Sequence, residues 1–434
     1  MFMLEIHERL PKKAAARQRI HAVCKGHLEW VKKLKASEAY CSNITVNGKR
    51  IHYVPGTSLL PDSPANMPTH ILKATEYLKS FPGLDDLFFV CSWLGKFAVE
   101  WFQQLVETRQ HLTPTWQHSP VSEIPIFRLS DQIIIWKALR SIEKLIKHVE
   151  KTHRMKPHER LKEFIETMHG HLPLLSVQNP TFYPTLDFIA EDLRRQNLRR
   201  FTLKFVAEKD QHPRRSLSVT RSARETRFLF HSRDTILYYG LEWGFFVGEE
   251  TVWEELVHAQ IQHDDPRNDQ ARWDNPLRYG LALEMAKHGH QLERNFLPSE
   301  MFKHARQFIL GCSSVNGLFP GQLDDFSKQP VVYRKNERNC YFHVTFEIPY
   351  LLLRAAEDPI PSKWQPDAAG IYKGSTLSSP QKRKISHHLI QIICLWTDQA
   401  LLLPFPFLVQ NLPAPFQLIA ILRSLRPFHR SEQF

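Results

Sequence analysis

Apolar positions along most of this chain recur every three to four residues instead of alternating, and that period predicts a mainly α-helical protein. The longest run opens at Ser130, read as the cap of a helix in which Ile135, Leu139, Ile142, Ile146 and Val149 share one face while lysines line the other. A strongly apolar helix over 84–105 carries Trp93 and Trp101, both expected in the core. Shorter helices are expected over 68–78 and 159–168, and another over 185–208. Extended structure is minor. Its one good candidate is a hairpin over 41–54, where Ile44, Val46, Ile51 and Tyr53 flank Asn47-Gly48, a pair suited to tight primed turns.

The stretch 228–325 reads as amphipathic helices separated by loops rich in Asp, Asn, Arg and Trp. Arg233-Asp234 leads into a helix bearing Ile236, Leu237, Tyr239, Leu241 and Trp243, with Gly248 where a C-terminal cap would stand. The next helix has Val252, Trp253, Leu256, Val257 and Ile261 on its apolar face and runs out at His263-Asp264-Asp265-Pro266. After a polar loop, Asp274 and Asn275 precede Pro276 at a first helical position, and Gly289 lies just past the end. A fourth helix, with Ser299 as its N-cap and Gly311 as its stop, empties into Asn316-Gly317-Leu318-Phe319-Pro320-Gly321 and then Asp324-Asp325.

Four segments follow from these patterns: an N-terminal part with the hairpin over 1–66, a helical body over 67–358, a linker rich in Pro, Ser, Lys and Gly over 359–384, and an apolar C-terminal segment over 385–434. Within the last, 399–422 has no charge and the length of a membrane span, but Pro404, Pro406, Pro413 and Pro415, with Gln410, Asn411 and Gln417, speak against one. A shorter basic stretch over 210–224 reads as a loop able to accept phosphate on Ser218, with Arg215 three residues before it, or more simply as a solvated connection.

A chain of 434 residues with 42% apolar content can bury a large core. The formal charge of +12 is spread over 57 Lys and Arg, and no arginine-rich motif with interleaved aromatics points to nucleic acid. Six widely spaced cysteines, with no Cys-x-x-Cys pair, fit a reducing compartment, and the N-terminus lacks the apolar core of a signal peptide, so a cytoplasmic location is expected.

Several chemistries are excluded by missing patterns. Nucleophile elbows, phosphate loops and dinucleotide fingerprints are absent. The pairs His169-x-His171 and His288-x-His290 lack the spacing of a dedicated metal site, and Pro266 interrupts the acidic run that magnesium-dependent isoprenoid chemistry would use, so neither a metal nor another cofactor is expected. Paired carboxylates are the chemistry left. Asp264, Asp274 and Asp324 fall in loops that helical hairpins can set opposite one another, and an inverting glycosidase needs an acid and a base about 6.5–9.5 Å apart. Trp243, Trp273 and Phe319 are near enough in sequence to stack on sugar faces.

Arg233-Asp234 opening a helix that carries Tyr238 and Trp243, followed by acidic loop-to-helix junctions and by Asn316 to Gly321, resembles the six-hairpin (α/α) toroid of glucoamylase-like and neutral-invertase-like glycosidases over roughly 225–355. The resemblance implies that Arg233 and Asp234 bind hydroxyl groups of the innermost sugar. One departure stands out. The glycine-rich loop ending in Trp-Glu is missing, and the nearest string, Val252-Trp253-Glu254-Glu255, lies inside a helical pattern with Trp253 as a core residue. The same toroid also serves as a non-catalytic scaffold, so the alternative to a hydrolase is a regulatory protein that binds a protein or a glycan.

Overall fold

The computed structural model describes residues 2–12, 14–33, 49, 65–108, 115–118, 124–171, 175, 186–206, 213–228, 236–256, 279–280, 283, 298–312, 319–320 and 347–354. The hairpin over 41–54, the linker and the C-terminal segment lie outside them. The described chain is mainly helical: α1 (Phe2–Arg9), α2 (Ala15–Lys33), α3 (Asn66–Ser80), α4 (Leu84–Glu107), α5 (Leu129–Met155), α6 (Glu159–His171), α7 (Leu186–Phe201), α8 (Ile236–Trp243), α9 (Pro298–Gly311) and α10 (Glu347–Arg354). Two small antiparallel sheets join them. One has the order β1 (Phe127–Arg128), β4 (Thr220–Arg221), β5 (Thr226–Arg227), and the other pairs β2 (Thr202–Val206) with β3 (Pro213–Leu217).

Two sets of helices run in opposite directions. The short connections between α1 and α2 and between α3 and α4 turn the chain back on itself, and α2 runs against α3, with His21 beside Tyr77 and His27 beside Lys73. Helix α4 ends where α5 begins, since Trp116 donates its indole N–H to Leu105 O and its backbone is held by Gln132. Helices α4 and α6 run together, with Phe88 4.1 Å from His158 between ring centroids. In the other set, α8 lies parallel to α5, with Gly240 against Ile133 and Trp243 under Lys137. It reaches α10 through Tyr239–Tyr350 and the Glu242–Arg354 ion pair.

The parallel set closes. Helix α1 packs on both α3 and α10, α3 packs on α5, and α5 packs on α8. A circuit α1–α3–α5–α8–α10–α1, flanked by oppositely directed helices, is the arrangement that helical hairpins adopt in an (α/α) toroid.

Burial explains which helix takes the middle. Along α5, Leu129 to Ile133, Ile135, Trp136, Ala138, Leu139, Ile142 and Val149 are all buried, so its first four turns are covered on most sides, and α3, α6, α7 and α8 all pack on the helix. Helix α4 contributes Trp93, Phe97, Trp101 and Phe102, with Asp85 and Asp86 in its first turn, where the helix dipole favours acids.

Local boundaries depart from the expectations in four places. Ser130 does not cap α5: Arg128 is the N-cap residue, in extended conformation, with no side-chain cap, and Leu129 N donates instead to Val219 O at 2.9 Å. Helix α7 stops at Phe201 instead of continuing to residue 208, because Thr202 to Val206 pair with Leu217 to Pro213. The basic stretch after 210 is therefore largely strand. Ser218 is fully buried and its hydroxyl donates to Phe201 O at 2.8 Å, so it is no phosphate acceptor. Lastly, α8 ends at Gly244 (φ 85°), four residues before the glycine expected to cap it, and α9 begins at Pro298, leaving Ser299 inside the helix.

Candidate functional site

Helices α5 and α8 begin at the same end of the parallel circuit, and a buried polar set gathers there on α5. Asp131 is 5% exposed, and its Oδ2 lies 2.7 Å from His118 Nδ1. His118 comes from the segment before β1, anchored by its own N–H to Ile126 O at 2.6 Å. Gln132, with no exposed surface, accepts from Trp116 N at 3.1 Å and donates to Trp116 O at 2.8 Å, clamping that segment to the first turn of α5. Next to it, Arg200 donates to Thr115 Oγ1 at 2.6 Å and lies 4.1 Å over the Phe127 ring. Burial, and then the charge of Arg221, lowers the pKa of Arg200.

In the tautomer that donates from Nδ1 to Asp131, His118 Nε2 is a hydrogen-bond acceptor. This pair escaped sequence reasoning. Asp131 stands in the first turn of a helix, where acids are favoured, and His118 lies 13 residues earlier in a segment without helical period.

A second polar and aromatic set lies at the C-terminal end of α8, beside Lys137 of α5 and beside α10, and it contains Trp243. That residue is half-buried at the end of α8, stacked on Tyr239 with centroids 6.0 Å apart, and Lys137 Nζ lies 5.2 Å over its ring. Tyr239 donates to Glu347 Oε1 at 3.3 Å. Burial first, and then neighbouring Lys79, pushes Lys137 down to about 8, while burial pushes Tyr350 up to about 12. The loop after Trp243 is held by Arg194, which donates to Phe245 O and Val247 O while pairing with Glu191. Trp243 thus stands at the opposite end of α8 from Ile236, about 10 Å along the axis at 1.5 Å per residue.

The other expected site residues are distributed unevenly. Phe319, expected as a stacking platform, is instead 6% exposed and packed into the main core. Its flanking turn reads as polar in sequence, but the ring is buried with the other large apolar side chains. Arg233, Asp234, Asp264, Trp273, Asp274 and Asp324 lie outside the described residues. Trp253 is a core residue as expected, its indole N–H donating to Leu237 O at 3.1 Å. Among the described residues no group of three His, Cys, Asp or Glu is placed to hold a metal ion, and no helix is long and apolar enough to cross a membrane.

No family model and no curated protein matches the chain. Among solved structures, it is similar to a metal-independent α-mannosidase of Streptococcus pneumoniae, solved with α-1,6-mannobiose, at 9% identity and a TM-score of 0.47 over 81% of this chain and 84% of that one. A likeness at that level decides nothing about activity, and the helical architecture rests on its own contacts.

Proposed function

We propose that this protein acts on carbohydrate, as an inverting glycoside hydrolase whose sugar site lies at the end of the parallel circuit where α5 and α8 begin. The observation that carries the reading is the closed circuit itself, in which helix starts from distant parts of the chain face one end. Asp234 precedes the first residue of α8, Ile236, by two positions, and the buried His118–Asp131 pair lies at the matching end of α5. Arg233 and Asp234 bind sugar hydroxyls in this reading. Asp264 or Asp274 with Asp324 supplies the acid and the base, and Trp273 stacks on the sugar.

The scaffold alternative also has a specific observation in its favour. Two of the three aromatics expected to stack on sugar are engaged elsewhere, Phe319 in the core and Trp243 between Tyr239 and Lys137. A non-catalytic toroid needs no free stacking platform at all.

A thermal-shift series against mono- and oligosaccharides separates the two, because a ligand bound only by the native state raises its apparent stability. The hydrolase reading expects a shift of about 2–5 °C at saturating sugar, corresponding to roughly 2–5 kcal/mol for a chain of this size, that Asp234→Ala abolishes. It further expects the single variants Asp264→Asn, Asp274→Asn and Asp324→Asn to include two that lower turnover by about a hundredfold or more while retaining the shift. A cooperative melt unmoved by every glycan would sink it and leave the scaffold.

A further inference from the structure

Part of the chain's positive charge is concentrated between residues 194 and 227. Residues 194–227 hold eleven Lys and Arg against three acids, Glu208, Asp210 and Glu225, in a chain whose whole formal excess is +12. The two sheets fold these residues into neighbouring ribbons. The last turn of α7 runs directly into β2. Lys204 stands directly opposite Arg215 in the β2–β3 register, and both are exposed. Like charges facing each other across a two-stranded ribbon are destabilising, so this pair works against the fold that carries it. Residues 218 and 219 then lead into β4, and Arg224 sits at the tip of a tight β4–β5 turn fixed by Ser222, whose N–H donates to Glu225 O and whose hydroxyl accepts from the N–H groups of Arg224 and Glu225.

Some of these cations already serve the fold. Arg194, Arg200 and Arg221 hold backbone carbonyls or Thr115, Arg215 meets Glu249 at 3.0 Å, Arg195 meets Asp192 at 3.7 Å, and Arg227 meets Glu225 at 3.2 Å. Arg199, Lys204 and Arg224 are exposed and pair with no acid among the described residues. The location matters as much as the charge. Strand β1 runs directly into α5 and pairs with β4, Leu129 N is taken by Val219 O, and β5 is followed within nine residues by the start of α8. The basic ribbons therefore border the end of the circuit assigned above to sugar.

We propose that the glycan taken by this protein is anionic, a polysaccharide carrying carboxylate groups such as a uronic-acid polymer, and that Arg199, Lys204 and Arg224 bind its charged units beside the sugar site. This rests on the carbohydrate reading and narrows its substrate class. Exposed guanidinium and ammonium groups on a fixed turn and ribbon match carboxylates spaced along an extended chain, and a field of one sign there raises the local concentration of such a ligand. Neutral glycans gain nothing from it.

The test uses the full-length protein and four probes of matched length: oligogalacturonate, a neutral oligomannoside, a neutral gluco-oligosaccharide and a short DNA duplex. The expected result is that oligogalacturonate binds about tenfold or more tighter than either neutral probe at low salt, and that added salt erodes this preference. The triple charge reversal Arg199→Glu, Lys204→Glu, Arg224→Glu should remove the preference without lowering the melting temperature, since these side chains hold no described fold contact and Lys204→Glu replaces a like-charge pair with Arg215 by an opposite-charge one. A neutral oligosaccharide binding as well as oligogalacturonate, with no effect of the triple variant, would overturn this proposal while leaving the carbohydrate reading intact. DNA competing as tightly as oligogalacturonate would overturn it as well, by making the surface a general polyanion binder. Failure of all three glycans would remove the carbohydrate reading and this one with it.

Discussion

Buried polar side chains divide into those that lock helices together and those that respond to pH. Tyr77 is 1% exposed and donates to Asp86 Oδ1 at 2.5 Å, while His21 Nε2 lies 3.0 Å from the same oxygen and Lys25 Nζ 3.6 Å from it, so one carboxylate ties α2, α3 and α4. Burial works to raise the Asp86 pKa, but the hydrogen bonds from Tyr77 and His21 outweigh it and hold the group below the ordinary carboxylate range. His70 behaves in the opposite sense. Burial, and then the charge of Lys73, pushes its imidazole down to about 3 from 6.5, and its Nδ1 has no partner. Between those two values the unfolded chain binds a proton that the folded chain refuses, so stability rises with pH across that window and is lost as pH falls through it. The urea midpoint should drop as pH is lowered from 7 toward 4, and His70→Leu should flatten the slope. An unchanged slope in that variant would assign the acid sensitivity elsewhere, with His27 and His7 the next groups whose pKa burial lowers.

At the level of single elements, glycines separate packing from propensity. A Cβ at Gly240 would lie 3.0 Å from Phe246 Cε2 and 3.2 Å from Ile133 Cδ1, where α8 packs against α5. Gly240→Ala should therefore destabilise by about 1–3 kcal/mol through overpacking. Gly26, exposed within α2 with nothing inside 4 Å of its added Cβ, should do the reverse, Gly26→Ala stabilising by about 0.5–1 kcal/mol. Chemical denaturation of both variants decides the matter, and equal signs would mean that the α5–α8 contact is looser than its geometry implies. Helix existence was legible at this scale, since the periods over α3, α4, α5 and α6 needed only neighbouring residues. Helix ends were harder. Phe201 ends α7 because Thr202 to Val206 find strand partners 7 to 15 residues on, and a backbone acceptor from Val219 replaced the side-chain cap expected on α5.

For the molecule as a whole, the decisive contact joins its first and last described helices. Leu353 of α10 is 4% exposed and packs with Ile6 of α1 and Ile20 of α2 in a small cluster of their own. Leu353→Ala should cost about 2–4 kcal/mol, the range for a buried leucine that leaves a cavity. It should also speed amide hydrogen exchange in residues 2–9 more than in α4, because the junction opens before the main core does. Equal acceleration in both helices would mean that closure and core are one cooperative unit. The same scale governs the candidate chemistry, since a site built from helix starts exists only if the circuit holds those starts at one end.

Reading alone was enough for the helical class, the core faces of α4 and α5 and the burial of Trp253, because an apolar stripe every three to four residues is a property of contiguous chain and survives whatever surrounds it. Pairings between distant residues were settled only by folding: His118 with Asp131, Glu242 with Arg354 112 residues away, α1 against α10, and the burial of Ser218 that turned an apparent phosphate acceptor into a strand-end hydrogen bond. The gathering of basic residues beside the starts of α5 and α8 belongs with these. Strand register sets it, and register depends on which segments meet, a relation that no local pattern of residues encodes.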